Sequence, residues 1–133
     1  MGGGRYMVPA SIIGRNFRLF TNFVIDTGSP WSILMEHDLK AKTRIPYASY
    51  PKVNRVNLII PIDLMKLGKC KIVFRDRDGQ PVEFDQELYG GMLVNRQIEL
   101  IQTIPSFLGK DFLDEHNLFV GKRGDDGVRY MED

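Results

Sequence analysis

The chain has 133 residues, 43% of them hydrophobic, which is enough for one domain with a real core and too few for two ordinary ones. Its 18 Lys and Arg stand against 17 Asp and Glu, so no large single-sign field exists to hold a polyanion, and no nucleic-acid partner is expected. One cysteine, Cys70, cannot close an intrachain disulfide, and His37 and His116 are too far apart to seed a zinc site, so a reducing compartment with no metal and no cofactor fits best.

The N-terminal stretch from Met1 to Gly14 carries the run Gly2-Gly3-Gly4 and no apolar run behind a basic start, and nowhere do about 18 apolar residues run together. A soluble cytoplasmic protein with no membrane partner is expected. From Tyr6 to Ile25 two β-branched and aromatic runs flank Gly14-Arg15-Asn16, which predicts a hairpin, with Pro9 marking its first strand as an edge. The second strand ends at Asp26, in Phe-Val-Ile-Asp-Thr-Gly-Ser-Pro-Trp. The middle, Glu36 to Leu67, carries three prolines and no regular period. Beyond it, Cys70–Phe74 and Pro81–Tyr89 flank a charged segment whose Asp78-Gly79 pair predicts a tight turn between antiparallel strands. A further turn is expected at Gly90-Gly91, leading into a long strand from Met92 to Ile104. Only Gly109 to Leu118 has helical spacing, over about two to three turns. The whole predicts a single mainly β domain over residues 1–133 with one short C-terminal helix, residues 1–5 and 122–133 being flexible or strands of a dimer interface.

The Asp26 stretch is where chemistry is expected. At average composition Asp-Thr-Gly arises by chance in about 3% of chains this long, and asking for apolar residues before it and a small one after lowers that to roughly 0.1–0.5%, so chance is a weak account. An ordinary Asx-type turn, with Asp26 and Thr27 satisfying backbone N–H groups, is the plain structural alternative. The chemical reading is that two such carboxylates sharing one proton activate a water for attack on an amide carbonyl. Gly28 then lets the loop turn sharply and approach a partner loop, Thr27 offers a hydroxyl to lock it, and Ser29 offers another to the carboxylate.

Phe23 to Ser29, followed by Ile33-Leu34, resembles the active-site loop of the aspartic proteases, and a short chain with a single such motif resembles their retropepsin-like branch. Ile104 to Val120 is similar to the apolar-apolar-Gly element and helix that in this family pack beneath that loop. The resemblance implies a closed, barrel-like β lobe working as a symmetric homodimer, because Asp-Thr-Gly occurs once and Asp-Ser-Gly never, so a second carboxylate must come from a second copy. It implies an aspartic endopeptidase acting on polypeptides, with Asp26 catalytic, Thr27, Gly28 and Ser29 supporting the loop, and, through Ser29 in place of the usual alanine, a lowered pH optimum. It also implies a flap closing over the substrate. The Lys71–Phe84 hairpin, tipped by Arg77, Asp78 and Gly79, is preferred for that role over its rival, Tyr47 to Asn57. The family's ion pair at the dimer interface is missing, since Pro30 and Lys110 occupy its positions.

Elsewhere Trp31 is expected to pack, Cys70 to behave as a small hydrophobe, His116 to lie half-buried or exposed on the helix, and Asp63, Asp85 and Asp111 to be surface or capping residues. Two other readings remain: a noncatalytic module of the same fold that binds extended peptides or dimerises a larger assembly, and an unrelated β-barrel domain in which Asp26 caps a turn.

Overall fold

A computed structural model of the chain describes residues 7–57, 60–95, 104–116, 119–123 and 128–132. It is mainly β, with a short helix near the C-terminus. Strands β1 (Met7–Ile13) and β2 (Arg18–Ile25) form the predicted hairpin, with Ile13 opposite Arg18 and Met7 opposite Val24. Their side chains alternate. Val8, Ala10, Ile12, Leu19, Thr21 and Phe23 face the interior, while Pro9, Phe20 and Asn22 face out, which is the period-2 pattern of a half-buried sheet.

After the Asp26 loop come the fully buried β3 (Ile33–Met35) and a helix, α1 (Glu36–Lys42). Following a single 3₁₀ turn at Tyr47–Ser49 are β4 (Lys52–Asn57), the long strands β5 (Pro61–Arg75) and β6 (Pro81–Leu93), and the two-residue β7 (Phe107–Leu108). Helix α2 (Lys110–His116) and a separate hairpin of β8 (Phe119–Arg123) with β9 (Val128–Glu132) complete the chain. Val128–Glu132, expected to fray or to serve a dimer, is thus paired within its own chain.

The sheet runs β1-β2-β7-β3-β6-β5-β4, and Ser11–Ile13 of β1 also pair with Lys71–Val73 of β5. That pairing closes β1, β2, β7, β3, β6 and β5 into a ring and leaves β4 outside it, hydrogen-bonded to β5 alone. One core fills the ring, built on Phe23, Leu34, Ile72, Phe74, Leu88, Leu108 and Phe112, each burial worth about 1.5–3 kcal/mol. Phe74, Phe84 and Phe112 meet as a ring cluster with centroids 5.6–6.2 Å apart, and His116 stacks half-buried on Phe84 and Phe112. Cys70 is buried in the same core, and burial, with the charge of Glu87, pushes its thiol up to about 12, as befits a packing residue.

Two expectations about the middle of the chain need correcting. Gly90 and Gly91 do not turn; they lie within β6, opposite Met65 and Leu64 and beside Leu34 and Met35 of β3. Glycine is required there for room: a Cβ on Gly91 would lie 2.7 Å from Ile33 Cγ2 and 2.7 Å from Met35 Sδ. The long strand expected from Met92 to Ile104 ends at Leu93, and 96–103 lie outside the described residues.

Helix α1 was not foreseen, and its polar anchors are buried. Thr21 Oγ1 and Ser106 Oγ donate to Asp38 Oδ2 at 2.9 and 2.6 Å, and Lys42 Nζ lies 3.1 Å from Asp38 Oδ1. Burial alone would raise the Asp38 carboxyl; the hydrogen bonds from Ser106, Lys42 and Thr21, with the His37 charge, outweigh it and hold the group below its ordinary 3.8. Glu36 is buried as well, its Oε1 accepting the Leu93 N–H at 3.3 Å.

Gly91→Ala is expected to lower stability by about 1–3 kcal/mol through overpacking, seen as a lower urea midpoint at unchanged slope; an unmoved midpoint would contradict the close approach. Since Asp38 titrates below its ordinary value when folded, its contribution is fully present above that value and is lost as pH falls through the folded one. Asp38→Asn is therefore expected to flatten the acid limb of the stability profile measured by chemical denaturation across that range.

Candidate active site

The Asp26 loop leaves β2 and returns as β3, and the last stretch of β7 lies between those two strands. Val24 and Ile25 pair in parallel with Phe107 and Leu108, while Ile33 pairs with Phe107 from the other side. The loop must therefore arch over the end of β7, and the chain beneath it meets it with one backbone acceptor and two backbone donors. Asp26 N–H donates to the Leu108 carbonyl (2.9 Å), Lys110 N–H to the Ser29 carbonyl (2.7 Å), and Gly109 N–H to Ser32 Oγ (2.9 Å). A Cβ on Gly109 would collide with the carbonyl oxygens of Trp31 and Ser29, so only glycine allows this approach.

Within the loop, the Asp26 carbonyl accepts Ser29 N–H at 3.1 Å and Asp26 Oδ1 accepts Gly28 N–H at 3.0 Å. Asp26 Oδ2 has no partner among the described residues, and the side chain is half-buried. Thr27 and Gly28 are exposed beside it. Gly28 does not adopt a left-handed backbone; a Cβ there would sit 3.3 Å from Asp26 Oδ1, so glycine keeps the space beside the carboxylate clear. One edge of the loop is thus fixed by backbone bonds, and the other presents a carboxylate oxygen and a hydroxyl outward.

Ser29 does not do what the sequence suggests. It is buried, and its hydroxyl donates to the Trp31 carbonyl at 2.8 Å, bracing the loop instead of reaching Asp26. The expected lowering of a pH optimum through Ser29 has no contact to carry it. Trp31 packs half-buried, with Ile60, Tyr89 and Ile104, against a second cluster containing Val24, Ile33 and Phe107, an apolar wall beside the loop.

Of the two roles expected for Asp111, surface or capping, it is half-buried and plays the second, its Oδ1 accepting Phe112 N–H in the first turn of α2 at 2.7 Å. It also clamps Ser32: Ser32 Oγ donates to Asp111 Oδ1 at 2.7 Å and Ser32 N–H to Oδ2 at 3.2 Å. Burial raises its carboxyl above the ordinary range, with these hydrogen bonds opposing. Asp63 behaves as expected, pairing with Arg55 across β4 and β5 at the surface, and Asp85 is exposed.

The Lys71–Phe84 hairpin exists with its predicted turn. Asp76 Oδ1 accepts the N–H groups of Asp78 and Gln80, both at 2.9 Å, and Gly79 takes the left-handed conformation (φ 80°). Arg77 and Asp78 are exposed at the tip. The hairpin's base, however, belongs to the ring: Lys71–Val73 pair with β1, and Phe74 and Phe84 pack on Phe112 of α2. Lifting it would break that core, which disfavours Arg77, Asp78 and Gly79 as a flap. In the β4–β5 hairpin only β4 stands outside the ring, with Lys52–Arg55 exposed; Ile62–Met65 of β5 pair with β6, and Val56, Ile62 and Leu64 are buried in the second cluster.

Among the described residues no group of three or more His, Cys, Asp or Glu side chains is placed to hold a metal, and no helix is long and apolar enough to cross a membrane. No protein-family model matches the chain, and no curated protein matches it.

Asp111→Ala is expected to lose about 1–3 kcal/mol, because it leaves the hydroxyl proton and N–H of buried Ser32 without an acceptor. The raised carboxyl gives a pH signature: its contribution is present below the ordinary value of 3.8 and is lost as pH rises through the folded one. The stability difference between wild type and Asp111→Asn is therefore expected to shift against wild type on going from acid toward neutrality in parallel denaturation curves. A difference independent of pH would contradict the burial of this group.

Proposed function

We propose that the chain is a retropepsin-like aspartic endopeptidase that works as a symmetric homodimer. The observation that carries this reading is the Asp26 loop itself: strapped to Leu108-Gly109-Lys110 from beneath, it turns an unpartnered carboxylate oxygen and the Thr27 hydroxyl outward. A single carboxylate on a loop has no proton-sharing partner. Bringing two copies together about a twofold axis supplies one, because an isologous contact places Asp26 against Asp26.

In such a pair the carboxylates share one proton, since like charges that close do not both ionise. A water between them loses a proton to the ionised Asp26 as its oxygen bonds to the scissile carbonyl carbon. The protonated Asp26 of the other copy donates to the carbonyl oxygen. Collapse of the tetrahedral intermediate then returns a proton to the leaving amine, which needs no cofactor and forms no covalent enzyme intermediate. Thr27, exposed beside the axis, is assigned to bonding across it and holding the two loops in register. The polypeptide lies extended along the wall of Trp31 and Tyr89, and β4, held to β5 on one edge, is assigned in place of Arg77-Asp78-Gly79 to close over it. The buried thiol of Cys70 and the absence of any other cysteine suit a reducing, cytoplasmic setting.

The test is hydrolysis of an unfolded protein substrate from about pH 3 to 7, the range in which carboxylate dyads work, by wild type and Asp26→Asn, with and without pepstatin. Wild-type cleavage that is blocked by pepstatin and lost at least about 10³-fold in Asp26→Asn is the expected result. No cleavage by a dimeric sample would favour a noncatalytic peptide-binding module, and no cleavage by a monomer would favour an unrelated barrel in which Asp26 caps its turn.

A further inference from the structure

The outer face of the β1–β2 hairpin carries a group of apolar side chains. Ile13, Phe20 and Val73 point outward from three adjacent strands; Ser11 stands opposite both Phe20 and Val73. Together with Leu19 they line an open cavity of about 430 Å³, and Phe20 is 55% exposed. A singly exposed apolar side chain is ordinary; a contiguous apolar depression such as this one, rimmed by charge, is the kind of surface that marks a contact.

Arg18, opposite Ile13, lines this cavity and also a second one of about 330 Å³, which it shares with Asn16, Lys42, Thr43 and Arg44. The second cavity is cationic. Lys42 is already committed, bridging Asp38 and the Phe20 carbonyl at 3.1 and 2.8 Å, and that bridge fixes the end of α1 to β2. Arg18 and Arg44 have no carboxylate partner among the described residues. Two uncommitted guanidinium groups, Arg18 on β2 and Arg44 just past the end of α1, form a receptor for carboxylates, which arginine binds in forked, charge-assisted pairs. An apolar cavity large enough for one ring therefore adjoins a basic one, with Arg18 as their common wall.

We propose that this face is a docking site for an acidic peptide segment carrying a large apolar side chain: the apolar group enters beside Phe20, and the flanking carboxylates meet Arg18 and Arg44. The site lies eight positions back along β2 from Asp26, roughly 25 Å away for an extended strand. It is separate from the Asp26 loop and stands whether or not the chain is a protease. A partner or substrate held there would have its acidic segment captured at a distance from any groove at Asp26. Electrostatic attraction would speed the encounter, and the apolar cavity would set specificity.

Fluorescence anisotropy with a labelled glutamate-rich peptide bearing one phenylalanine tests this, using Asp26→Asn so that hydrolysis of the probe cannot enter. Saturable binding is expected, weakened about tenfold by Arg18→Glu, by Arg44→Glu and by Phe20→Ser, and weakened again when the probe's phenylalanine is replaced by alanine. Lys69→Glu, an exposed charge change elsewhere on the barrel, is expected to leave binding unaltered. Circular dichroism melts confirm that each variant is folded. No saturable binding, or equal weakening by Lys69→Glu, would overturn the proposal. So would binding of phosphatidylserine vesicles through the same residues without the peptide, which would make the face a membrane contact. Loss of a homodimer in Phe20→Ser would overturn it too, by making the face an interface between copies.

Discussion

Everything at the Asp26 loop depends on how closely one stretch of backbone passes beneath another. β7 is only two residues long, yet it lies between β2 and β3, and the chain leaving it at Gly109 runs against the carbonyl oxygens of Ser29 and Trp31. No side chain fits there. Because the approach is so close, the loop's N–H and C=O groups are matched by Leu108, Gly109 and Lys110 instead of by water, and the arch has one shape. The outward direction of the Asp26 carboxylate follows from that fixed arch.

The two ends of the same segment are anchored by acids, Asp38 buried and Asp111 half-buried. Before β7, Ser106 accepts from the N–H of Met35, donates to Asp38, and offers its carbonyl to Val24 N–H. After β7, Asp111 holds Ser32. Asp38 and Asp111 lie on the two helices and use hydrogen bonds to offset the desolvation of a carboxyl, successfully for Asp38 and incompletely for Asp111, as the opposite directions of their titration record. A core of Leu and Phe alone would pack, but it would leave the register of β7 under the loop unspecified. These polar contacts define one register.

Local pattern revealed much of this architecture. The β1–β2 hairpin, the Asp78-Gly79 turn, the helix after Gly109 and the turn that follows β2 at Asp26 were legible because each rests on residues close in sequence. What was not legible depends on partners far apart. Gly90-Gly91 read as a turn because a glycine pair usually is one; only the packing of Ile33, Met35 and Ile62 shows that it is a strand made smooth for close approach. Asp111 and Ser32 are 79 positions apart, and no short-range signal joins them. Ser29 was aimed at the wrong acceptor because its own loop offered a nearer carbonyl. Helix α1 did leave a signal, with Glu36 and Asp38 in its first turn and Lys40 and Lys42 in its last, matching the helix dipole; the prolines that follow obscured it.

The ring closure also constrains which strands can lift from the core. A strand that belongs to the ring on both edges cannot lift without opening the core, whereas β4 is held on one edge only. The central claim, that one Asp26 is useless without another, is tested most directly by mixing. Wild type and Asp26→Asn are unfolded, combined in varying proportion and refolded together, and proteolysis is measured at constant total protein. Statistical pairing predicts that activity falls as the square of the wild-type fraction, to about a quarter at equal proportions. A linear fall to about half would mean that each chain acts alone, and would contradict the account.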